Sequence, residues 1–392
     1  MSDQGTPTQT IASAPHGFDF DKLRRRPDVE AENLFAVDAS DRLILDEAAG
    51  ALAAARSGDV AIVGDRYGAL TLGAAALHGV RGIRVHQDAL SGEQALDSNA
   101  VEFALTDRYR SYELGADLLT GARVVLLQLP RSLAELDELA GAIARHAAPD
   151  VMVFAGGRIK HMTVAMNEVL RRHFGALNIA PARQKSRVLI VSTPLMATPA
   201  SGALTWPQSE RHDDVGLTVM AHGAAFAGTS IDIGTRALLD VLDRMKPEAE
   251  TAIDLGCGTG VLAVALAQQR PLLRVLATDQ SAAAVASARA TIDANAVAER
   301  VTVARDDALT GRSDASAELI VLNPPFHIGS SVHAGLALKL FEDAARVLQP
   351  GGELWTVWNT HLGYRPELSR IVGPTRQVGR NTKFTVTVST RR

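Results

Sequence analysis

Two short stretches carry residue types suited to chemistry. The first is Thr251-Ala-Ile-Asp-Leu-Gly-Cys-Gly-Thr-Gly-Val-Leu262, where an apolar run ends in Asp254 and glycines follow at 256, 258 and 260. Glycine serves where a backbone turns sharply and a ligand must approach without a Cβ in the way. A loop of this kind, set between a buried strand and an Ala/Leu-rich helix, belongs to doubly wound α/β folds, whose ligands sit beyond the carboxyl ends of the strands. A dinucleotide loop would need its third glycine at the position of Val261. The acid Asp254 beside the loop suits instead a ligand bearing an ammonium and a sulfonium. The second stretch is Leu319-Ile-Val-Leu-Asn-Pro-Pro-Phe-His327. Two prolines after a buried strand fix a turn and free carbonyls that no ladder uses. The Asn323 side-chain oxygen and the Pro324 carbonyl can both accept from an exocyclic amino group, holding the nitrogen lone pair toward an electrophile. Phe326 offers a flat surface on which a base can stack.

Other residues fall around these two. Asp279 closes the apolar run Val275–Asp279, where an acid is placed to accept from both hydroxyls of a ribose; capping the next helix is its other role. Asp306 and Asp307 follow a third strand, and Asp307 is the better placed to accept from an adenine amine. Cys257, the single cysteine, excludes a disulfide framework and any multi-cysteine zinc site, and no metal is expected. Inside the loop it reads as a small packed residue.

The elements that position these residues occur twice. Asp59-Val-Ala-Ile-Val-Gly-Asp-Arg-Tyr-Gly-Ala-Leu70 sets Gly64 on Gly256 and Gly68 on Gly260, with Ile62 where Asp254 stands and Arg66 where Gly258 stands. Gly82–Asp88 matches Leu273–Asp279, and Val124–Pro130 matches Leu319–Pro325 with Gln128 on Asn323. Three matches in one order at nearly constant offset indicate two copies of one fold. With 392 residues, of which 46% are hydrophobic, there is material for two cores. The expected fold is α/β: two tandem doubly wound Rossmann-like domains, residues 18–187 and 188–392, the first degenerate, after a disordered tail at 1–17.

The net charge of −4 carries no global nucleic-acid signature. The junction does: Arg158, Lys160, Arg171, Arg172, Arg183, Lys185 and Arg187 face one acid, Glu168, and are expected to contact phosphates. The stretch 194–233 reads as loop-rich, and Thr235 as the N-cap of a helix over Arg236–Met245. Phe226 and the turn Asp232–Thr235 read as core and capping residues, with folding over the site as the alternative. No charged-then-apolar leader or membrane-length apolar run is present, so a cytoplasmic, monomeric protein is expected.

The alternating-glycine loop resembles the first motif of class I S-adenosylmethionine-dependent methyltransferases. With Asn-Pro-Pro-Phe326, the chain from about Leu217 to Arg392 is similar to the catalytic domain of amino-group methyltransferases. The degenerate first copy, Gly157-Arg-Ile-Lys-His161 and Gly379-Arg-Asn-Thr-Lys-Phe-Thr-Val386 extend the likeness to nearly the whole chain. It resembles the bacterial ribosomal RNA guanine-N2 methyltransferases, the family of the small-subunit methyltransferase C and large-subunit methyltransferase G enzymes. The resemblance implies S-adenosylmethionine as donor, guanine N2 as target, and ribosomal RNA or a ribosomal subunit as partner. It also implies a first domain that aids folding or RNA binding. By the same resemblance, Asp254, Gly256, Gly258, Gly260, Asp279, Asp307 and Asn323 hold the cofactor, with Asn323, Pro324 and Phe326 at the amine. An adenine N6 or protein glutamine amide target, and a non-catalytic cofactor- or RNA-binding protein, remain as alternatives.

Overall fold

The computed structural model describes residues 17–195, 204–324 and 330–392, without the side chains of 330–334. The tail expected over 1–17 therefore lies outside the described residues except for Gly17. In chain order the first unit runs α1 (Ala39–Ala54), β1 (Val60–Val63), α2 (Ala69–His78), β2 (Ile83–His86), α3 (Leu90–Glu102), β3 (Tyr109–Ser111), α4 (Ala116–Leu119), β4 (Val124–Gln128), α5 (Leu133–His146), β5 (Met152–Arg158), α6 (Val164–His173), β6 (Phe174–Ile179) and β7 (Ser186–Pro194). A hairpin, β8 (Gln208–His212) and β9 (Leu217–Ala221), leads into the second unit. That unit runs α7 (Ile233–Leu239), β10 (Thr251–Leu255), α8 (Val261–Gln269), β11 (Arg274–Asp279), α9 (Ala282–Ala294), β12 (Val301–Arg305), β13 (Ala317–Leu322), α10 (Ser330–Val347), β14 (Leu348–Asn359), α11 (Arg365–Ile371), β15 (Thr375–Arg380) and β16 (Phe384–Thr390).

The two sheets share one strand order. The first is β3-β2-β1-β4-β5-β7-β6 and the second β12-β11-β10-β13-β14-β16-β15. In each, five parallel strands are followed by an antiparallel pair. Parallel strands covered by helices on both faces read as unbroken apolar runs. Val60–Val63 and Leu319–Leu322 are buried throughout, as that requires.

Three expectations change. Val188, taken as the start of the second domain, sits inside β7, which pairs antiparallel with β5 and belongs to the first sheet. A strand returning antiparallel to its own sheet looks locally like the opening strand of a new one. The loop-rich stretch 194–233 also holds an element the sequence reading lacked, the β8–β9 hairpin. The edge of β9 is covered by a polar stripe on α9: Ser287, Thr291 and Asn295 take the amides of His222, Met220 and Thr218 at 2.9 Å each. Their i, i+4, i+8 spacing puts them on one helix face. Finally, α7 begins at Ile233, capped by Asp232 rather than Thr235.

The two units meet through equivalent residues. The Leu90 amide donates to the Gln280 carbonyl (3.0 Å), and the Ala282 amide donates to the Asp88 carbonyl (2.8 Å). Ser281 Oγ donates to Asp88 (2.8 Å) and Ser91 Oγ to Gln280 (3.1 Å). Arg305 reaches across to Glu93 (2.7 Å) and to the carbonyls of Gln87 and Asp88.

Candidate active site

The glycine loop of the second unit joins β10 to α8. Gly256, Gly258 and Gly260 have φ of +69°, +52° and +80°, the left-handed region that favours glycine. A Cβ on Gly256 or Gly258 would meet nothing within 4 Å, so the loop backbone faces open space. Gly260 has a different reason. A Cβ there would lie 3.1 Å from that of Ala288, so its absence lets α8 pack closely on α9.

Asp254 does not face that open space. It is 1% exposed, and its Oδ2 accepts from the Ala263 amide at 3.0 Å. The carboxylate thus satisfies an orphan N–H at the start of α8. Burial pushes its pKa up to about 7, with the Asp279 charge adding to the rise. The expectation that it meets a ligand ammonium is therefore corrected: it positions the loop from beneath. The first unit does the same with a displaced acid. Asp65, two residues before Tyr67 in the loop, accepts from Gly68 (3.1 Å), Leu70 (3.2 Å) and Thr71 (2.7 Å), and Thr71 is the counterpart of Ala263. A carboxyl whose pKa rises on folding favours the fold most below its unfolded pKa and loses that benefit as pH rises through the folded one. Asp254→Asn should therefore flatten the fall in stability between about pH 4 and pH 8. Urea titrations across that range measure it, and an unchanged slope would count against a desolvated Asp254.

Asp279 ends β11 beside the loop. Its Oδ2 accepts from the Gly258 amide (3.0 Å) and its Oδ1 from Ser281 (2.9 Å). The carboxylate is thereby tied to the loop, with lone pairs remaining on both oxygens. Burial pushes its pKa up, against the pull of those two amides. Cys257 is buried, its thiol pKa well above normal for the same reason.

The two acids after β12 have partners already. Asp306 accepts from Thr310 Oγ1 (3.1 Å), Gly311 N (3.3 Å) and Arg312 Nε (3.3 Å), which closes its own turn. Asp307, the acid expected at adenine, lies 2.5 Å from Lys339 on α10.

Asn323 stands at the carboxyl end of β13, next to Pro324. Its amide nitrogen donates to Asp232 Oδ2 (3.1 Å), Asp232 Oδ1 (3.3 Å) and Thr235 Oγ1 (3.1 Å). A carboxylate only accepts, so the NH2 must face it and Asn323 Oδ1 is the acceptor left over. Asp232 is itself held by the Gly234 amide (2.7 Å) and the Thr235 hydroxyl (2.6 Å). A Cβ on Gly234 would come within 2.9 Å of Asn323 Oδ1, so only glycine lets α7 approach this closely. The turn Asp232–Thr235 thus orients Asn323, a role that its capping pattern alone did not reveal. Phe226 is mostly exposed. Phe326 lies outside the described residues.

The basic residues do not form one strip. Arg158 pairs with Ser186 at one end of β7, with Lys160 and Lys185 alongside. Arg171 and Arg172 sit before Phe174, which pairs with Pro194 at the other end. Eight residues of strand separate these ends by roughly 26 Å. Arg172 lies 3.5 Å from Asp137, and Arg183 is paired with Glu47 (3.0 Å) and Asp46 (3.4 Å). Among the described residues no His, Cys, Asp or Glu group is arranged to hold a metal ion, and no helix is long and apolar enough to cross a membrane.

The fold and the loop define the class as a Rossmann-like methyltransferase with a second, altered copy ahead of it. Residues 216–388 match the methyltransferase small domain model and residues 13–195 the RLMG N-terminal domain model. Ribosomal RNA large subunit methyltransferase G of Pseudomonas aeruginosa is 35% identical over 368 residues, 93% of this chain and 96% of the relative. The protein of that name from Streptomyces coelicolor is 34% identical over 376 residues, again 93% of this chain and 96% of the relative. The chain belongs to the ribosomal RNA large subunit methyltransferase G family. In fold it matches the T. thermophilus 16S rRNA N2 methyltransferase RsmC, solved with AdoMet and guanosine (TM-score 0.70, 21% identity, 91% of this chain and 92% of that one).

Proposed function

We propose that the chain transfers a methyl group from S-adenosylmethionine to the exocyclic N2 amine of a guanine in large-subunit ribosomal RNA. The observation that carries this reading is the Asn323 amide, locked by Asp232 and Thr235 with its oxygen as the free acceptor. The residues fit the donor: the glycine loop opens onto space that a Cβ at 256 or 258 would invade. When bound, the donor supplies an electrophilic methyl on a sulfonium.

The chain's own residues do the rest by placement. Asp279 accepts from the ribose hydroxyls, and its ties to Gly258 and Ser281 keep the carboxylate from swinging away. The guanine amine is a poor nucleophile because its lone pair is delocalised into the ring. Asn323 Oδ1 and the Pro324 carbonyl each accept a hydrogen bond from one of its N–H groups, which favours a more pyramidal nitrogen with its lone pair directed at the methyl. Asp232, behind the amide, polarises it and strengthens the oxygen as an acceptor. This is catalysis by positioning and preorganised dipoles. The surplus proton leaves to water after transfer. A paired guanine hides its N2, so the target base must be unpaired or extruded.

Mass spectrometry of modified nucleosides in large-subunit rRNA from a deletion strain tests the reading. N2-methylguanosine should disappear and return with the wild-type gene but not with Asn323→Ala. Loss of N6-methyladenosine, or of a methylated glutamine, in its place would transfer the activity to another NH2 group.

The basic cluster at the end of β5 would supply phosphate contacts. Replacing Lys160 and Lys185 by Gln should lower the slope of log affinity against log salt by about 2 on structured RNA, roughly one per phosphate contact. The same change at Arg172 and Arg183 should leave the slope nearly as it is, since both are ion-paired. Equal effects from the two pairs would restore a single continuous strip.

A further inference from the structure

A cavity of about 580 Å³ lies at the carboxyl ends of β1, β2 and β4 in the first unit, closed on the far side by α9 of the second. That volume is within the ordinary range of small-molecule pockets. It occupies the topological switch point of the first sheet, the place corresponding to the catalytic site of the second.

Two amides line it. Strand register sets Gln87 on Asp279, one residue before the Asp88 that the sequence match put there. Gln87 is 2% exposed and its Nε2 has no hydrogen-bond partner. A buried donor left unpaired is rare and calls for an explanation. Gln128, the counterpart of Asn323, is locked in the same way as Asn323. Its Nε2 donates to Asp41 Oδ1 (2.9 Å) and Ser40 Oγ (3.0 Å), and the Ser40 hydroxyl is given to Asp38. Ser40 Oγ also lies 3.3 Å from the Gln128 oxygen, but its one proton is given to Asp38, which leaves that oxygen as an acceptor. One wall of the cavity thus offers an acceptor for an amine and another offers an unused donor. Cations gather at the mouth. Arg66 and Arg131 line the cavity, and after desolvation they disfavour protonation of His161 together with Lys160 and Arg158.

We propose that this crevice is a second nucleotide pocket, which grips the amino-bearing edge of an unpaired base between Gln128 and Gln87 and its phosphate at Arg66 and Arg131, without methyl transfer. Five acids line the cavity, and four of them have partners. Asp28 pairs with Arg25 (2.9 Å), Asp88 accepts from Ser281 Oγ (2.8 Å) and the Ala283 amide (2.9 Å), Glu138 is taken up by His222 (2.5 Å) and the Gly223 amide (2.6 Å), and Glu113 faces Arg289 at 3.9 Å. Burial pushes the pKa of the fifth, Glu135, up to about 7, which favours its neutral form. S-adenosylmethionine is excluded, because a guanidinium replaces Gly258 beside the sulfonium position and Gln87 replaces the ribose carboxylate. The chain then holds one methyl donor and two base pockets.

Calorimetry on the full-length Asn323→Ala chain, whose second-unit grip is removed, tests this with GMP, AMP and UMP. GMP or AMP should bind at one site and UMP at least tenfold more weakly. Adding Gln87→Leu should weaken binding by about fivefold, the effect of one hydrogen bond. Adding Ala286→Trp, which fills the cavity from α9, should abolish it while cofactor affinity, measured in parallel, stays unchanged. A single-stranded RNA carrying 2-aminopurine distinguishes the sources. A fluorescence rise lost in both variants assigns an RNA-borne base, whereas GMP binding without that rise assigns a free nucleotide. No binding of GMP, AMP or RNA, binding indifferent to both variants, or UMP binding equally well would overturn the proposal. None of these readouts requires methyl transfer, so the pocket can fail while the catalytic reading stands, and the reverse.

Discussion

Replacing Asn323 by alanine should lower the single-turnover methyl-transfer rate at saturating RNA by about 10²–10³-fold, the usual result of removing one preorganised polar group from a reacting centre. The cofactor Kd should change by less than about threefold. The asymmetry follows from geometry. The Asn323 NH2 is spent on Asp232 and Thr235, so the oxygen is the part that can face substrate, and its acceptance strengthens as the amine nitrogen gains positive charge. An interaction made mainly in the transition state lowers the rate and spares ground-state binding. Asp232→Ala should act in the same direction more weakly, since the amide survives but turns freely. The double variant should be little worse than Asn323→Ala alone, because the two act as one unit. Rapid-quench measurements with labelled donor read both quantities. A lost cofactor affinity with an intact rate would move Asn323 out of the amine grip and into the donor site.

Much of the architecture is legible in the sequence. Strand, glycine turn and helix recur at an offset that the alternation of apolar runs and glycines exposes, and the two sheets repeat one order. What misled were features with the same local signature and a different tertiary fate. β7 is as apolar as an opening strand, and only its pairing with β5 reveals which sheet owns it. Asp254 sits where a ligand-facing acid would sit, yet it points beneath the loop to an N–H of α8. A sequence shows an acid near a glycine loop without showing which side of the loop the carboxylate occupies. Asp65 illustrates the same limit from the other direction. By position the first copy lacks the acid, but in space a carboxylate at another position caps the same helix turn. The Asp232–Asn323 contact joins residues 91 apart, so no local pattern could carry it; the Asp-Ile-Gly-Thr turn signalled only a helix start. The basic run looked continuous in sequence, and the length of β7 parts it.

Asp279→Ala should weaken S-adenosylmethionine binding by roughly 1.5–3 kcal/mol, the range for hydrogen bonds to a charged group, which is about 10- to 150-fold in Kd. Two losses combine. The ribose hydroxyls lose their acceptor, and the Gly258 and Ser281 amides lose the carboxylate that fixes the loop. Asp279→Asn separates them, because its one oxygen can serve either the loop or the ribose but carries no charge; its effect should fall between wild type and alanine. A pH dependence adds a second readout. Burial raises the Asp279 pKa in the free chain, and hydroxyl donors favour the ionised form. Affinity should therefore climb as pH rises through the free-chain pKa and level off above it, and this slope should vanish in Asp279→Asn. Calorimetry between pH 5 and pH 8 provides both measurements, with circular dichroism to show that each variant is folded. A folded alanine variant with wild-type affinity and the wild-type pH profile would remove Asp279 from the cofactor site and leave it as the clamp of the glycine loop alone.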